Sequence, residues 1–245
     1  MDTEAAREAM IAANVARVEE RIAAACARAG RARNAVTLVA VSKTRSAAEV
    51  AAAWRCGLRH FGENRVEEAE VKLPEVTAAL PGERPTWHLI GHLQSRKART
   101  AAELFDTVHS VDSLRLAARL DRFAGEAGRR LPVLLEVNVS GEASKFGWDA
   151  QSAAGRAAFV AEAQALAALT HLEVRGLMTM APLVVSAEET RPVFRALRAL
   201  RDELRLAAPF GAWDELSMGM TNDYAVAIEE GATLVRIGRA IFEGA

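Results

Sequence analysis

Short runs of apolar, mostly β-branched or small residues alternate with longer amphipathic stretches from one end of the chain to the other. That alternation is the pattern of strand–helix units in a parallel sheet. After a charged, alanine-rich helix near residues 3–29, strands are predicted at TLVAVS (37–42), LRHFGE (58–63), TWHLIG (86–91), DTVHSV (106–111), PVLLEVNV (132–139), EVRGLMTM (173–180), DELSMG (214–219) and TLVRIG (233–238). Helical periodicity fills the intervals, as in SAAEVAAAWRCG, SLRLAARLDRFAGEAG and AGRAAFVAEAQALAAL. About eight such units in 245 residues match the length and strand count of an α/β fold of the (β/α)8 TIM barrel type. A doubly wound open sheet is the alternative, but no G-x-G-x-x-G follows the first strand, where LVAVSKTRS stands instead. No Pro- or Gly-rich linker and no internal repeat divides the chain, so a single domain over 1–245 with an extra N-terminal helix is expected.

Composition narrows the partners. Hydrophobic residues make up 51% and charged residues 26%, and the mean hydropathy of +0.03 leaves no surplus for a membrane span. Lys plus Arg number 31 against 32 for Asp plus Glu, a net charge of −1, so no global basic field draws nucleic acid or anionic lipid. Cys26 and Cys56 cannot form a disulfide framework, and the opening MDTEAAREAM has no secretory pattern, so a cytoplasmic protein is expected. Lysine occurs only at Lys43, Lys72, Lys97 and Lys145. Where nearly every other cation is arginine, a retained amine raises the question of what it does that a guanidinium cannot, and the answer is titrate and form an imine. For Lys72, in the helical run RVEEAEVKL, a solvated face is the simpler reading; Lys97, in QSRKAR, reads as a solvated charge at a helix start.

A barrel places its chemistry at the C-terminal ends of the strands, with phosphate commonly at the loops after strands seven and eight. Lys43 ends the first strand, after a run that would bury its stem. Burial lowers an amine's pKa and makes it a nucleophile; the alternative is a lysine that caps the strand and reaches solvent. After strand seven comes SMGMTNDY, in which Gly219 lets backbone approach a ligand and Thr221, Asn222 and Asp223 suit a helix N-cap. After strand eight comes Arg236-Ile237-Gly238-Arg239. Two glycine turns at the phosphate corner, with Ser217 and Arg236, read as a cradle of N–H groups and a cation. Strands one and eight are neighbours in a closed barrel, so amine and cradle would share a site suited to a phosphate-bearing aldehyde, of which pyridoxal 5′-phosphate (PLP) is the commonest.

The segments AVSKT, HFGENRVEEAEVK, WHLIGHLQSRK, VHSVDS, EVNVSGEASKFG, GLMTMAP and LSMGMTNDYAVAIEEGATLVRIG occur in order between about residues 36 and 242. Together they resemble the YggS/PROSC family of pyridoxal phosphate homeostasis proteins. The resemblance implies a fold-type III PLP barrel like the N-terminal domain of alanine racemases, with Lys43 as the Schiff-base lysine. It further implies Arg236 at the cofactor ring nitrogen, Ser217, Gly219, Gly238 and Arg239 at the phosphate, and Asn64 near the ring. Three positions depart from the family pattern: Arg65 stands where a tyrosine is common, Arg45 where a second lysine is common, and His92 where a proline is common. If cofactor hand-over uses a second amine, Lys145 is the remaining candidate, since an arginine cannot serve.

The resemblance also bears on enzyme against carrier. Alanine racemases carry an additional C-terminal β-domain that supplies a tyrosine across a dimer interface, and this chain ends shortly after strand eight. Its one tyrosine, Tyr224, opens the helix after strand seven. No second base pairs with Lys43, so the expectation is no catalytic residue and a PLP that is bound, buffered or delivered within the cell, with apo PLP-dependent enzymes as recipients and a monomer as the acting form. A weak single-domain amino-acid racemase is the alternative, and a cofactor-free Schiff-base aldolase a remoter one. His88 and His92 stand four apart, as if on one strand face, without a carboxylate or cysteine at ligand spacing, so no metal is expected. Met178, Met180, Met218 and Met220 read as core filling, and Cys26 and Cys56 as small buried apolar residues.

Overall fold

The structure is a computed structural model that describes residues 3–80, 82, 84–142 and 146–243. A long helix, α1 (Thr3–Arg28), precedes β1 (Thr37–Val41), α2 (Ala47–Arg55), β2 (His60–Glu63), α3 (Val66–Ala79), β3 (Thr86–Leu89), α4 (Ala98–Leu104), β4 (Thr107–Val111), α5 (Leu114–Glu126) and β5 (Leu131–Asn138). The second half runs β6 (Trp148–Asp149), α6 (Ala153–Ala165), β7 (Leu172–Met178), α7 (Arg191–Ala207), β8 (Glu215–Ser217), α8 (Tyr224–Glu229), β9 (Leu234–Ile237) and α9 (Arg239–Phe242). Serines start three of the helices: Ser46, Ser113 and Ser152 each accept from the N–H three residues on, and Ser46 completes a capping box with Glu49.

The strands pair in the order β4-β3-β2-β1-β9-β8-β7-β5, and β4 pairs with β5, so eight parallel strands close into a barrel with flanking helices. All eight predicted strands are present; β6 is additional, a two-residue strand laid outside β5 through Val137↔Trp148. Both faces of each barrel strand are covered, which is why β1 buries Leu38, Val39 and Ala40 in succession. The larger apolar layer lies between strands and helices, and a separate cluster of Val39, Leu134, Met178 and Leu234 lies within the barrel. α1 packs on α8 and α9 through Ile11, Val15, Val18 and Ile22, and Asn14 Nδ2 donates to the Ile241 carbonyl at 2.9 Å. No helix among the described residues is long and apolar enough to cross a membrane.

Candidate functional site

The C-terminal ends of β1, β8 and β9 and the segment after β7 enclose a cleft of about 320 Å³. Lys43, Thr221, Asn222, Arg236, Gly238 and Arg239 line it on the strand side, with Met220, and residues 182–185 face them. Lys43 lies in the turn after β1 and is exposed, so the buried stem expected from the sequence is not found. What is buried is the root of its turn. Ser42 has no exposed surface; its N–H donates to the Gly62 carbonyl at 3.0 Å and its hydroxyl to Glu63 Oε1 at 2.7 Å. Lys72 Nζ donates to both the Ser42 carbonyl and Glu63 Oε1, each at 2.8 Å. Lys72 is thus no solvated helix charge: only 8% of it is exposed, and it ties α3 to the end of β1. Its sequence signal was the carboxylate nine residues upstream at the end of a strand. Burial pushes the Glu63 carboxyl up, against the pull of Lys72 and Ser42.

On β9, the strand paired with β1, Arg236 is buried, and no ion pair holds it to a carboxylate among the described residues. Its Nη1 donates to Ser217 Oγ at 2.6 Å and its Nη2 to the Thr179 carbonyl at 2.9 Å. Burial draws its pKa down to about 10, with Glu136 and Asp223 opposing, so it stays charged at neutral pH. Ser217 is a correction to the sequence reading: it has no exposed surface, and its hydroxyl is engaged by Arg236 and by His109 Nδ1 at 2.9 Å. It supports the arginine from beneath the cleft and is not among the residues that line it. Gly219 is also buried. Its φ of +94° and an added Cβ only 2.6 Å from Ala227 Cβ require glycine there for the turn and its packing. Asp223 takes the N-cap place of α8, but its carboxylate accepts from Met220 N–H at 2.6 Å and so closes the turn that presents Thr221 and Asn222. Gly238 is the residue before α9, whose first N–H groups have no partner within the helix.

An amine, two guanidinium groups, a hydroxyl, an amide and a helix start on one cleft form a donor set for a phosphorylated carbonyl compound, and the volume suits a small ligand. Asn64 lies in the loop after β2, tight against Gly91, where an added Cβ would stand 2.2 Å from the Asn64 carbonyl oxygen. Arg45 turns away to ion pairs with Glu243 and Glu49, and Arg65 lies 3.5 Å from Glu68. Lys97 ends a short turn before α4 and pairs with Glu67. Lys145 lies outside the described residues. His88 and His92 do not share a strand face, because β3 ends at Leu89; His92 stacks on Phe146 with ring centroids 3.9 Å apart. Met220 and Met180 are only partly buried, and Cys26 is buried whereas Cys56 is half-buried.

Residues 13–245 match the family model of the alanine racemase N-terminal domain. A Pseudomonas aeruginosa protein named pyridoxal phosphate homeostasis protein is 44% identical over 232 residues, 95% of this chain and 94% of the relative. The solved structure of PipY from Synechococcus elongatus with PLP bound superposes with a TM-score of 0.82 at 42% identity, over 95% of this chain and 99% of that one. A Clostridium difficile alanine racemase shares the fold, with a TM-score of 0.72 at 16% identity, and this chain spans 56% of its length.

Proposed function

The chain belongs to the alanine racemase N-terminal domain family and, within it, to the pyridoxal phosphate homeostasis proteins, and from that premise we propose that it binds PLP in this cleft and buffers or delivers the cofactor without catalysing a reaction of its own. The observation that carries the reading is the meeting of Lys43 with the Thr221–Asn222 turn, Gly238 and two arginines around one small cleft. Lys43 would hold the aldehyde end, Thr221, Gly238 and Arg239 the phosphate, and Arg236 with Asn64 the ring. Bound PLP supplies an electrophilic aldehyde and a pyridine ring that serves as an electron sink when its nitrogen is protonated. A buried guanidinium among the groups that hold the ring opposes that protonation, so the arrangement favours retention of the cofactor over carbanion chemistry.

Proton transfer at an amino-acid substrate would need a second acid or base at the cleft. Tyr224, buried in α8 against α1, does not line the cleft; Asp223 does, and its carboxylate is held by the Met220 N–H at 2.6 Å in closing the turn. A cleft open to solvent suits exchange of the cofactor with recipients, which we take to be apo PLP-dependent enzymes meeting a monomer in the cytoplasm. The test is an absorbance titration with PLP, then borohydride reduction and peptide mapping. Label on Lys43 alone is expected; absence of a chromophore, or label spread over Lys72 and Lys97, overturns the reading. Optical rotation of L- or D-alanine incubated with loaded protein separates carrier from racemase, and turnover that vanishes in Lys43→Ala would overturn the non-catalytic assignment.

A further inference from the structure

Five side chains from five strands form one hydrogen-bonded line through the barrel. Arg236 Nη1 donates to Ser217 Oγ, which lies 2.9 Å from His109 Nδ1. His109 Nε2 lies 2.9 Å from His88 Nδ1, and His88 Nε2 lies 3.0 Å from His60 Nδ1. One end, Arg236, lines the cleft; the other, His60, is the first residue of β2 and is half-buried at the opposite end of the barrel. The direction of the line follows from valence. A guanidinium only donates, so Ser217 accepts from it, and the Ser217 proton has no other acceptor than His109 Nδ1 among the described residues. His109 then carries its proton on Nε2 and gives it to His88 Nδ1; His88 does the same toward His60. Burial holds both inner imidazoles neutral, His88 with a pKa of about 3 and His109 well below the ordinary range, so each has one proton to place.

We infer that His109, His88 and His60 are positioning residues for the cofactor cleft: through Ser217 they fix the orientation of Arg236, and the protonation state of His60 sets the direction of the line that holds it. The inference rests on the reading of the cleft as a PLP site. When His60 takes up a proton, its Nδ1–H faces His88 Nε2. His88 must then accept there and carry its own proton on Nδ1, and His109 likewise. Ser217 now accepts from both His109 and Arg236, and its hydroxyl proton is left without an acceptor in the line. Each inner imidazole keeps one proton on the other nitrogen, and the net uptake is the single proton on His60. Burial lowers the His60 pKa, and Asp106, acting from the α4–β4 connection, opposes that shift without cancelling it. Arg175 on β7 faces His88 and disfavours its charging, and Glu215 on β8 lies 3.7 Å from Arg175.

The test pairs a ligand-free readout with a binding one. Ring-nitrogen NMR of the native protein at pH 7.5 is expected to show His88 and His109 as Nε2–H tautomers; Nδ1–H or doubly protonated rings would overturn the proposal. PLP affinity is then measured by absorbance at pH 7.5 and 5.5 for native protein and His60→Gln, which keeps a hydrogen-bonding side chain at a half-buried position but cannot titrate. Acidification is expected to weaken native binding about fivefold more than it weakens the variant's, at the lower end of ordinary coupling between sites. Equal weakening in both would overturn the role of His60. If native protein binds no PLP at all, the cofactor reading fails, while the ring-nitrogen spectra still decide whether the line has the inferred direction.

Discussion

At Lys72 the deciding quantity is burial. Its ammonium meets Glu63, which has no exposed surface, and removing one partner of such a pair typically costs about 3–5 kcal/mol because the other charge is left uncompensated. Lys72→Met is therefore expected to lose about 3 kcal/mol of unfolding free energy at pH 8 in a denaturant titration. Burial already pushes Glu63 up, and without the ammonium it rises further, so protonation relieves the variant and the loss shrinks at pH 5. An equal loss at both pH values would mean the pair is not ionised in the native protein. Glu136 makes the complementary case. Burial, helped by Asp112 and opposed by Arg236, pushes its pKa from 4.5 to about 7, and its Oε2 finds no partner among the described residues. A carboxyl raised by folding adds stability that is whole below its unfolded value and is lost as pH climbs through the folded one. Glu136→Gln should thus match the native protein at pH 4 and exceed its stability by about 1–3 kcal/mol at pH 8. Greater stability of the native protein at pH 8 would show that the ionised carboxylate is paid back by Arg236.

Among the elements, the turns carry the site, and glycine substitutions test them. At Gly219 an alanine would have to adopt φ +94° with its Cβ 2.6 Å from Ala227 and 2.9 Å from the Tyr224 Cα, a backbone atom that cannot swing aside. Gly219→Ala is expected to destabilise by more than about 1 kcal/mol and to weaken PLP binding, read by thermal melting and by the absorbance titration. Unchanged melting would show that the turn re-forms around the new methyl. The same turns show what the sequence could and could not reveal. Barrel strands were legible because both faces are covered, so TLVAV and PVLL read as runs of apolar or small residues. Strand β6 was not, since two residues carry no period and pair only because β5 lies alongside. Lys43, Thr221, Arg236, Gly238 and Arg239 were legible as strand-end residues in a fold whose chemistry lies there, and all five line the cleft. Ser217 was misplaced because strand position gives the end of the barrel but not the neighbour across the lumen, and His109 decides its role. Lys72 was misread because its helix face is set by a buried carboxylate on another element.

In the molecule as a whole, closure of eight strands brings β1 beside β9, and α1 braces α8 and α9 from outside, so ligand groups drawn from both chain halves are held by one cooperative body. A ligand that binds only this closed form stabilises it by about 2.7 kcal/mol at a hundred times its Kd. For a chain of this size each kcal/mol moves the melting temperature by roughly 2–4 °C, so saturating PLP is expected to raise it by about 5–10 °C. The size of the rise in variants apportions the cleft. On the proposed assignment inorganic phosphate would engage only the cradle, and so should give a smaller rise that Lys43→Ala leaves intact. PLP on Lys43→Ala should fall back toward the phosphate value, because the aldehyde end has lost its amine while Thr221, Gly238 and Arg239 remain. A full PLP rise in that variant would place the binding energy in the cradle and ring contacts, and the amine would then govern how fast the cofactor leaves rather than how tightly it is held.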